Sequence, residues 1–156
     1  MIKDSHRIFQ GFKIIVKNYG FRESFFVMGR SLGSFSAIEL AYKYQNEFQG
    51  LIVESGPSNN LMQYVSSMVP LNHPIWRDDS TFLNKVKLRS ISTPTLIIHG
   101  EQDSLIPADE GRELYENSAA KDKRLVIIPN ADHGDLFIIG KEQYYKAIRE
   151  FVKDYS

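Results

Sequence analysis

Cysteine is absent from the 156-residue sequence, and charge of neither sign dominates it. The lack of cysteine excludes disulfide bonds, thiol nucleophiles and cysteine-ligated metal sites. The 19 basic and 19 acidic residues give a formal net charge of zero, so the composition offers no electrostatic basis for binding nucleic acid. No stretch approaches the roughly 18 apolar residues of a membrane-spanning helix, and we expect no membrane segment.

We expect neither a targeting signal nor a metal site. Its first residues, MIKDSHRIFQGF, do not contain the apolar run of a secretory signal peptide, which favours a cytoplasmic protein. The four histidines do not show metal-ligand spacing, so we expect neither a metal nor another cofactor. A chain of 156 residues is long enough for one domain with a substantial core and hardly for two.

The apolar residues that are present follow two periodicities. Four short, largely apolar segments predict β-strands, at 24–28, 50–54, 95–99 and 124–128. Four segments have the apolar spacing of helices, at 5–17, 34–45, about 107–118 and about 141–154. In the first helix, one apolar face carries Ile8, Phe12, Ile15 and Val16. The alternation predicts an α/β fold with a parallel sheet covered by helices on both faces, in a single domain over residues 1–156.

Residues 56–93 do not share this regular pattern. Prolines punctuate the segment at positions 57, 70 and 74, and Pro94 closes it. Short helices are predicted around 60–68 and 80–88. We interpret the segment as an irregular insertion between the second and third strands.

A serine between two glycines marks the junction of the first strand and the second helix. In Gly29-Arg30-Ser31-Leu32-Gly33 the glycines stand two positions before and two positions after the serine, where a tight turn brings backbones close together. The residue at the apex of such a turn projects from the sheet edge, and the N–H groups after it can hold negative charge. The pattern is typical of a nucleophile elbow; a glycine-rich turn with a capping serine is the alternative.

A nucleophilic serine requires a base to accept its proton and a carboxylate to orient that base. In a parallel sheet, both partners are expected just beyond the C-terminal ends of later strands. Asp103 follows the third predicted strand, and His133 follows the fourth. Ser31, Asp103 and His133 are therefore predicted to leave the same edge of the sheet, in the chain order serine, aspartate, histidine.

Three other aspartates compete for the role of the acid, namely Asp109, Asp132 and Asp135. We favour Asp103, because two of the three flank the histidine too closely in sequence to orient it and the third lies within the following helix. His99, at the end of the third strand, is interpreted as a packed or hydrogen-bonded residue.

Three segments, VMGRSLGS, PTLIIHGEQDSLIP and IPNADHGD, resemble the α/β-hydrolase superfamily, in particular its serine aminopeptidase-like branch. The resemblance extends from about residue 5 to the C-terminus. It implies that Ser31 is the nucleophile, that His133 acts as general base and then general acid, and that Asp103 is the orienting acid. It also implies that the backbone N–H of Leu32 is one oxyanion donor.

By the same resemblance, residues 56–93 occupy the position of a cap that shapes the acyl or leaving-group pocket. Candidate substrate contacts are Arg30, before the nucleophile, and His73 and Trp76, within the cap. Each has a structural alternative: an ion pair with a carboxylate for Arg30, a loop-stabilising role for His73, and packing within the cap for Trp76.

The resemblance covers only part of the family's sheet. The chain supplies what correspond to strands five to eight of eight, a truncated α/β-hydrolase fold, and no HGG-type stretch is present to supply a second oxyanion N–H. The strand at 24–28 is therefore expected to have an unpaired edge, and such an edge recruits partners. We expect a missing N-terminal half at this edge, or a second copy of the chain in a homo-oligomer.

The resemblance implies a serine hydrolase that cleaves an ester, thioester or amide bond of a small-molecule acyl substrate through an acyl-enzyme. Transfer of the acyl group to an acceptor other than water would use the same intermediate. The alternative is a non-catalytic remnant or assembly module that retains the triad residues without a complete oxyanion hole.

Overall fold

Four parallel strands form one sheet, and their spatial order follows the chain. The structure is a computed structural model that describes residues 2–20, 25–59 and 83–156. The strands in these residues are β1 (Phe25–Arg30), β2 (Phe48–Glu54), β3 (Thr95–Gly100) and β4 (Lys123–Ile128). They pair in the order β1-β2-β3-β4, and every pair is parallel. The predicted α/β class, with a parallel sheet, is confirmed.

The helices described by the structure lie before, between and after the strands. They are α1 (Ile2–Asn18), α2 (Gly33–Lys43), α3 (Asn84–Leu88), α4 (Ala108–Asn117), α5 (Leu136–Ile139) and α6 (Lys141–Tyr155), with a 3₁₀ turn at Gln45–Glu47. The four long helices predicted from the apolar spacing are all present. Helix α3 lies within the short helix predicted at 80–88, whereas the one predicted at 60–68 lies outside the described residues.

Both faces of the sheet are covered, because side chains alternate from one face to the other along a strand. One face buries Val53 and Ile97 against α2, α3 and α4. The opposite face buries Ile52 and Ile98 against α5 and α6. All six residues of β3 are buried, which explains why this strand is apolar at successive positions instead of alternating.

Helix α1 buries little of its apolar face. Phe9 is its buried residue, and it packs with Leu40 of α2 and Phe48 of β2. Three residues of the apolar face are exposed, Ile8 by 71%, Phe12 by 44% and Ile15 by 56%. The apolar face is therefore only partly covered in the described structure. We call the three exposed residues the α1 stripe.

Strand β1 lies at one end of the sheet. It pairs with β2 from Phe25↔Phe48 to Arg30↔Glu54, and within the described ranges no strand pairs with its other edge. Residues 25–27 are only half-buried, and Met28 is 45% exposed. The register places Arg30 beside Glu54 at the C-terminal end of the sheet, next to the turn that carries Ser31.

Parts of the predicted organisation are not described by the structure. Residues 60–82, which include His73 and Trp76, lie outside the described residues. The single domain and the cap at 56–93 therefore stay predictions. Of the helices that the structure describes, none combines the length and apolar character needed to cross a bilayer.

Candidate active site

The turn between β1 and α2 contains only Ser31 and Leu32. Ser31 has a backbone φ of 49°, which is uncommon for a residue other than glycine. Its N–H donates a hydrogen bond of 2.8 Å to the carbonyl of Glu54, and its own carbonyl accepts one of 3.0 Å from the N–H of Ser34. These two bonds hold the turn between the end of β2 and the first turn of α2.

The two glycines of the turn differ in their surroundings. A Cβ added at Gly29 would lie 2.5 Å from the carbonyl oxygen of Gly33 and 2.6 Å from the Cβ of Ala37. A Cβ at Gly33 would meet no atom within 4 Å. Crowding between β1 and α2 therefore requires glycine at position 29, whereas Gly33 does not relieve the crowding that the sequence pattern predicted there.

Asp103 lies in the loop that follows β3, with its side chain fully buried. Its Oδ1 accepts hydrogen bonds from the backbone N–H groups of Leu105, at 3.0 Å, and Ile106, at 2.7 Å. Its Oδ2 lies 2.8 Å from Nδ1 of His133. Burial alone would raise the pKa of Asp103, but hydrogen bonds from His133, His99 and the N–H of Ile106 hold that pKa well below its ordinary value. The carboxylate is therefore ionised at neutral pH.

The ionised carboxylate determines which nitrogen of His133 carries the proton. An anionic oxygen accepts a hydrogen bond from Nδ1–H, so in the neutral imidazole Nε2 has the free lone pair. Nε2 of His133 lies 3.0 Å from Oγ of Ser31, within the reach of a hydrogen bond from the hydroxyl. The loops after β1, β3 and β4 thus bring together the three side chains that the sequence predicted at one edge of the sheet.

Asp132 and Asp135, two of the competing acids, bind the backbone of the loop that carries His133. Oδ1 of Asp132 accepts hydrogen bonds from the N–H groups of Ser104, at 2.8 Å, and His133, at 2.7 Å. Oδ1 of Asp135 accepts one of 2.7 Å from the N–H of Asp132. Both carboxylates shape this loop. The third competitor, Asp109, has a side chain that is 93% exposed.

His99 is a contact of Asp103 that sequence reasoning missed. It is completely buried, and its Nε2 donates a hydrogen bond of 2.9 Å to the carbonyl of Ile106 and lies 3.3 Å from Oδ2 of Asp103. A Cβ at Gly111 would lie 2.6 Å from Nδ1 of His99, so glycine allows α4 to approach this ring. The four-residue separation of His99 and Asp103 across a strand end was the signal that could have indicated the contact.

Leu32 and Arg30 flank Ser31 and have different surroundings. Leu32 caps the N-terminus of α2, where backbone N–H groups lack partners within the helix and can hold negative charge. Arg30 lies 3.0 Å, through its Nε, from Oε1 of the buried Glu54. The structural alternative for Arg30, an ion pair with a neighbouring carboxylate, is thus the arrangement in the structure. Across the part of the chain that is described, no cluster of three or more histidine, aspartate or glutamate residues could hold a metal ion.

Comparison with protein-family models gives a match over residues 80–137 to the family described as "serine aminopeptidase, S33". The matched segment contains Asp103 and His133 but not Ser31. An uncharacterized membrane protein of Saccharomyces cerevisiae is 28% identical over 130 residues, 80% of this chain and 44% of the yeast protein. The human alpha/beta hydrolase domain-containing protein 17B is 28% identical over 135 residues, 86% of this chain and 43% of the human protein. The chain thus spans less than half the length of these curated relatives.

Solved structures share the fold over nearly the whole chain. An acylaminoacyl peptidase from Pyrococcus horikoshii superposes with a TM-score of 0.79 and 20% identity, over 97% of this chain and 27% of that protein. An esterase from Pyrococcus furiosus gives a TM-score of 0.74 and 21% identity, over 98% of this chain and 62% of the esterase. A monoacylglycerol lipase from Paleococcus ferrophilus gives 0.70 and 20%, over 97% of this chain and 76% of the lipase. The resemblance to the α/β-hydrolase superfamily is thus confirmed: residues 80–137 are similar to the serine aminopeptidase S33 family, and the fold is that of α/β hydrolases.

Proposed function

We propose that the chain carries the catalytic residues of a serine hydrolase that cleaves an ester, thioester or amide bond of a small-molecule acyl substrate. One observation carries the proposal: Oγ of Ser31 lies 3.0 Å from Nε2 of His133, whose Nδ1 lies 2.8 Å from Asp103. This continuous series of contacts is the arrangement that makes a serine hydroxyl nucleophilic.

Each residue has a defined role in the proposed reaction. Oγ of Ser31 attacks the carbonyl carbon while its proton passes to Nε2 of His133, and the Asp103 carboxylate stabilises the imidazolium. The imidazolium then gives this proton to the leaving oxygen, sulfur or nitrogen, and the acyl group remains on Ser31. Water attacks the acyl-enzyme with His133 again as base, which releases the acid and regenerates the hydroxyl. The N–H of Leu32 would stabilise the negative charge on the carbonyl oxygen of the tetrahedral intermediate.

The second candidate function is an assembly module without turnover. The open edge of β1 and the exposed α1 stripe favour it, because an unpaired strand edge beside exposed apolar side chains recruits another polypeptide. The partner would be a further segment of an α/β-hydrolase sheet or a second copy of the chain. The serine hydrolase proposal also includes four predictions. They are a cap at 56–93, substrate contacts of the cap through His73 and Trp76, a cytoplasmic location and the absence of a cofactor.

Labelling with a fluorophosphonate probe separates the two functions. The probe reacts with an activated serine, so the serine hydrolase proposal expects labelling of Ser31, turnover of p-nitrophenyl esters, and loss of both in Ser31→Ala. Ser36→Ala is the matched control, since Ser36 is half-buried on α2 outside the site and alanine suits a helix. A folded, unlabelled chain that forms oligomers in sedimentation velocity would contradict the hydrolase and support the assembly module.

A further inference from the structure

Arg30 contacts two parts of the site at once. Its Nε lies 3.0 Å from Oε1 of Glu54, and its Nη2 donates a hydrogen bond of 2.9 Å to the backbone carbonyl of His133. Arg30 directly precedes Ser31, whereas His133 is 103 residues away in sequence. The guanidinium therefore connects the strand end that carries the hydroxyl to the loop that carries the imidazole.

Glu54 is the buried ion-pair partner of this guanidinium. Its side chain is only 3% exposed, and its Oε2 accepts a hydrogen bond of 2.8 Å from the hydroxyl of Tyr144 on α6. Burial and the contact with Glu54 raise the pKa of Tyr144 well above its ordinary value, so this hydroxyl stays a neutral donor. A carboxylate that is buried in this way requires its hydrogen-bond and charge partners, and Arg30 is its cationic partner.

The contacts form a closed circuit. The carbonyl of Glu54 accepts the N–H of Ser31 at 2.8 Å, and Oγ of Ser31 lies 3.0 Å from the ring of His133. The carbonyl of His133 accepts a hydrogen bond from Arg30, and Arg30 forms the ion pair with Glu54. Every link is a hydrogen bond or an ion pair, so a shift of the histidine loop away from Ser31 has to break the link through Arg30.

We propose that Arg30, held by Glu54, is a positioning residue that keeps His133 at proton-transfer distance from Ser31. This inference rests on the proposed serine hydrolase function, to which it adds a pair of residues outside the Ser-His-Asp set. Displacing reacting groups by about 1 Å costs on the order of 100-fold in rate. Loss of the guanidinium therefore lowers the rate of the chemical step without removing any group that reacts.

The circuit also argues against a substrate-binding role for Arg30. Its Nε forms an ion pair with the buried carboxylate of Glu54, and its Nη2 donates a hydrogen bond to the carbonyl of His133. An acidic group on a substrate would have to compete with Glu54, which cannot move into water because it is buried and held by Tyr144. The positioning role therefore predicts that a charge on the acyl chain has no influence on the effect of an Arg30 substitution.

The first test compares Arg30→Gln, Arg30→Lys and Glu54→Gln in steady-state kinetics with a neutral p-nitrophenyl ester and with one that bears a terminal carboxylate. In Arg30→Gln we expect kcat to fall about 10- to 100-fold for both esters, with KM changed less than twofold. Arg30→Lys keeps a cation beside Glu54 but loses the planar fork that also reaches the His133 carbonyl. It should therefore keep near wild-type stability in urea and still show most of the loss in kcat.

Arg124→Gln is the matched control, because Arg124, a residue of β4, has similar exposure and forms a surface ion pair with Asp154. Its kcat should stay within twofold of wild type. A kcat in Arg30→Lys that returns to wild type would overturn the proposal, because it would show that Arg30 acts only through its charge on stability. An increase in KM confined to the carboxylate ester, with kcat unchanged, would equally overturn it in favour of substrate binding.

The second test does not depend on turnover. Hydrogen exchange measured by mass spectrometry should be faster for peptides covering residues 130–135 in Arg30→Gln than in wild type or Arg124→Gln. Unchanged exchange in this loop would overturn the positioning role even if the wild type is an active hydrolase. Faster exchange in a chain that is neither labelled nor active would support the link between Arg30 and the loop and contradict the hydrolase function instead.

Discussion

Nδ1 of His133 lies 2.8 Å from Oδ2 of Asp103, although 30 residues separate the two in sequence. The two residues leave adjacent parallel strands, β4 and β3, at their C-terminal ends. The buried carboxylate also binds the N–H groups of Leu105 and Ile106, which fix its orientation. The contact therefore sets the tautomer of the imidazole as well as the direction of its ring, and the proposed transfer of the Ser31 proton depends on both.

Replacing Asp103 by asparagine tests the importance of this contact. The amide can present N–H to Nδ1, which favours the tautomer with a proton on Nε2 and removes the lone pair that accepts the serine proton. We expect kcat for a p-nitrophenyl ester to fall by about 10⁴-fold while KM changes little. Asp109→Asn, at a side chain that is 93% exposed, is the control and should retain wild-type kcat. A loss below about tenfold in Asp103→Asn would contradict the proposed role.

The approximate positions of Ser31, Asp103 and His133 could be predicted from sequence, because the topology of the parallel sheet determines them. The apolar segments identify the parallel strands, and parallel strands present their C-terminal ends at one edge of the sheet. Ser31, Asp103 and His133 each follow such a strand closely, so the topology alone brings them near one another. The 3.0 Å distance between Oγ of Ser31 and Nε2 of His133 depends on side-chain conformations, which the topology does not specify.

Other features of the site could not be predicted, because they depend on packing between elements that are distant in sequence. Arg30 is predicted as a substrate contact or an ion-pair partner. Its hydrogen bond to the carbonyl of His133 joins residues 103 positions apart, and no local sequence pattern indicates it. The exposure of the α1 stripe could not be predicted, because helical periodicity identifies an apolar face without identifying what covers it. His99 is predicted as a packed or hydrogen-bonded residue, and its proximity to Asp103 follows from the shape of the loop after β3.

The two glycines of the turn give a matched pair for stability. A Cβ at position 29 would overlap the carbonyl of Gly33 and the Cβ of Ala37, so Gly29→Ala should destabilise the fold by about 1–3 kcal/mol. Gly33→Ala places its Cβ in open space at the start of α2 and should be neutral or stabilising by up to about 1 kcal/mol. Urea unfolding followed by circular dichroism measures both. Equal losses in the two variants would contradict the packing of β1 against α2.

Acid sensitivity of the fold should depend on Asp103. Its pKa is lowered in the folded state, so near and below the ordinary value of about 3.9 the unfolded chain binds the proton more tightly than the folded chain. The stabilising contribution of Asp103 is fully present above that pH and is lost as the pH falls through the lowered folded value. Urea midpoints measured between pH 3 and 7 should decline more steeply for wild type than for Asp103→Asn. Parallel curves would show that Asp103 does not supply this dependence.

Substitutions in the α1 stripe distinguish an effect on association from an effect on folding stability. Ile8 and Ile15 are 71% and 56% exposed, so replacing both with lysine removes little buried apolar area and should change the free energy of unfolding by less than about 0.5 kcal/mol each. The same pair of lysines should reduce self-association in sedimentation velocity, because charge interrupts the exposed apolar surface of α1. Phe9→Ala is the contrasting variant, since Phe9 is 6% exposed and its truncation should cost about 3–5 kcal/mol. Association that persists at wild-type strength in the double lysine variant would place the contact elsewhere on the chain. A large loss of stability in that variant would mean that the stripe is covered in solution.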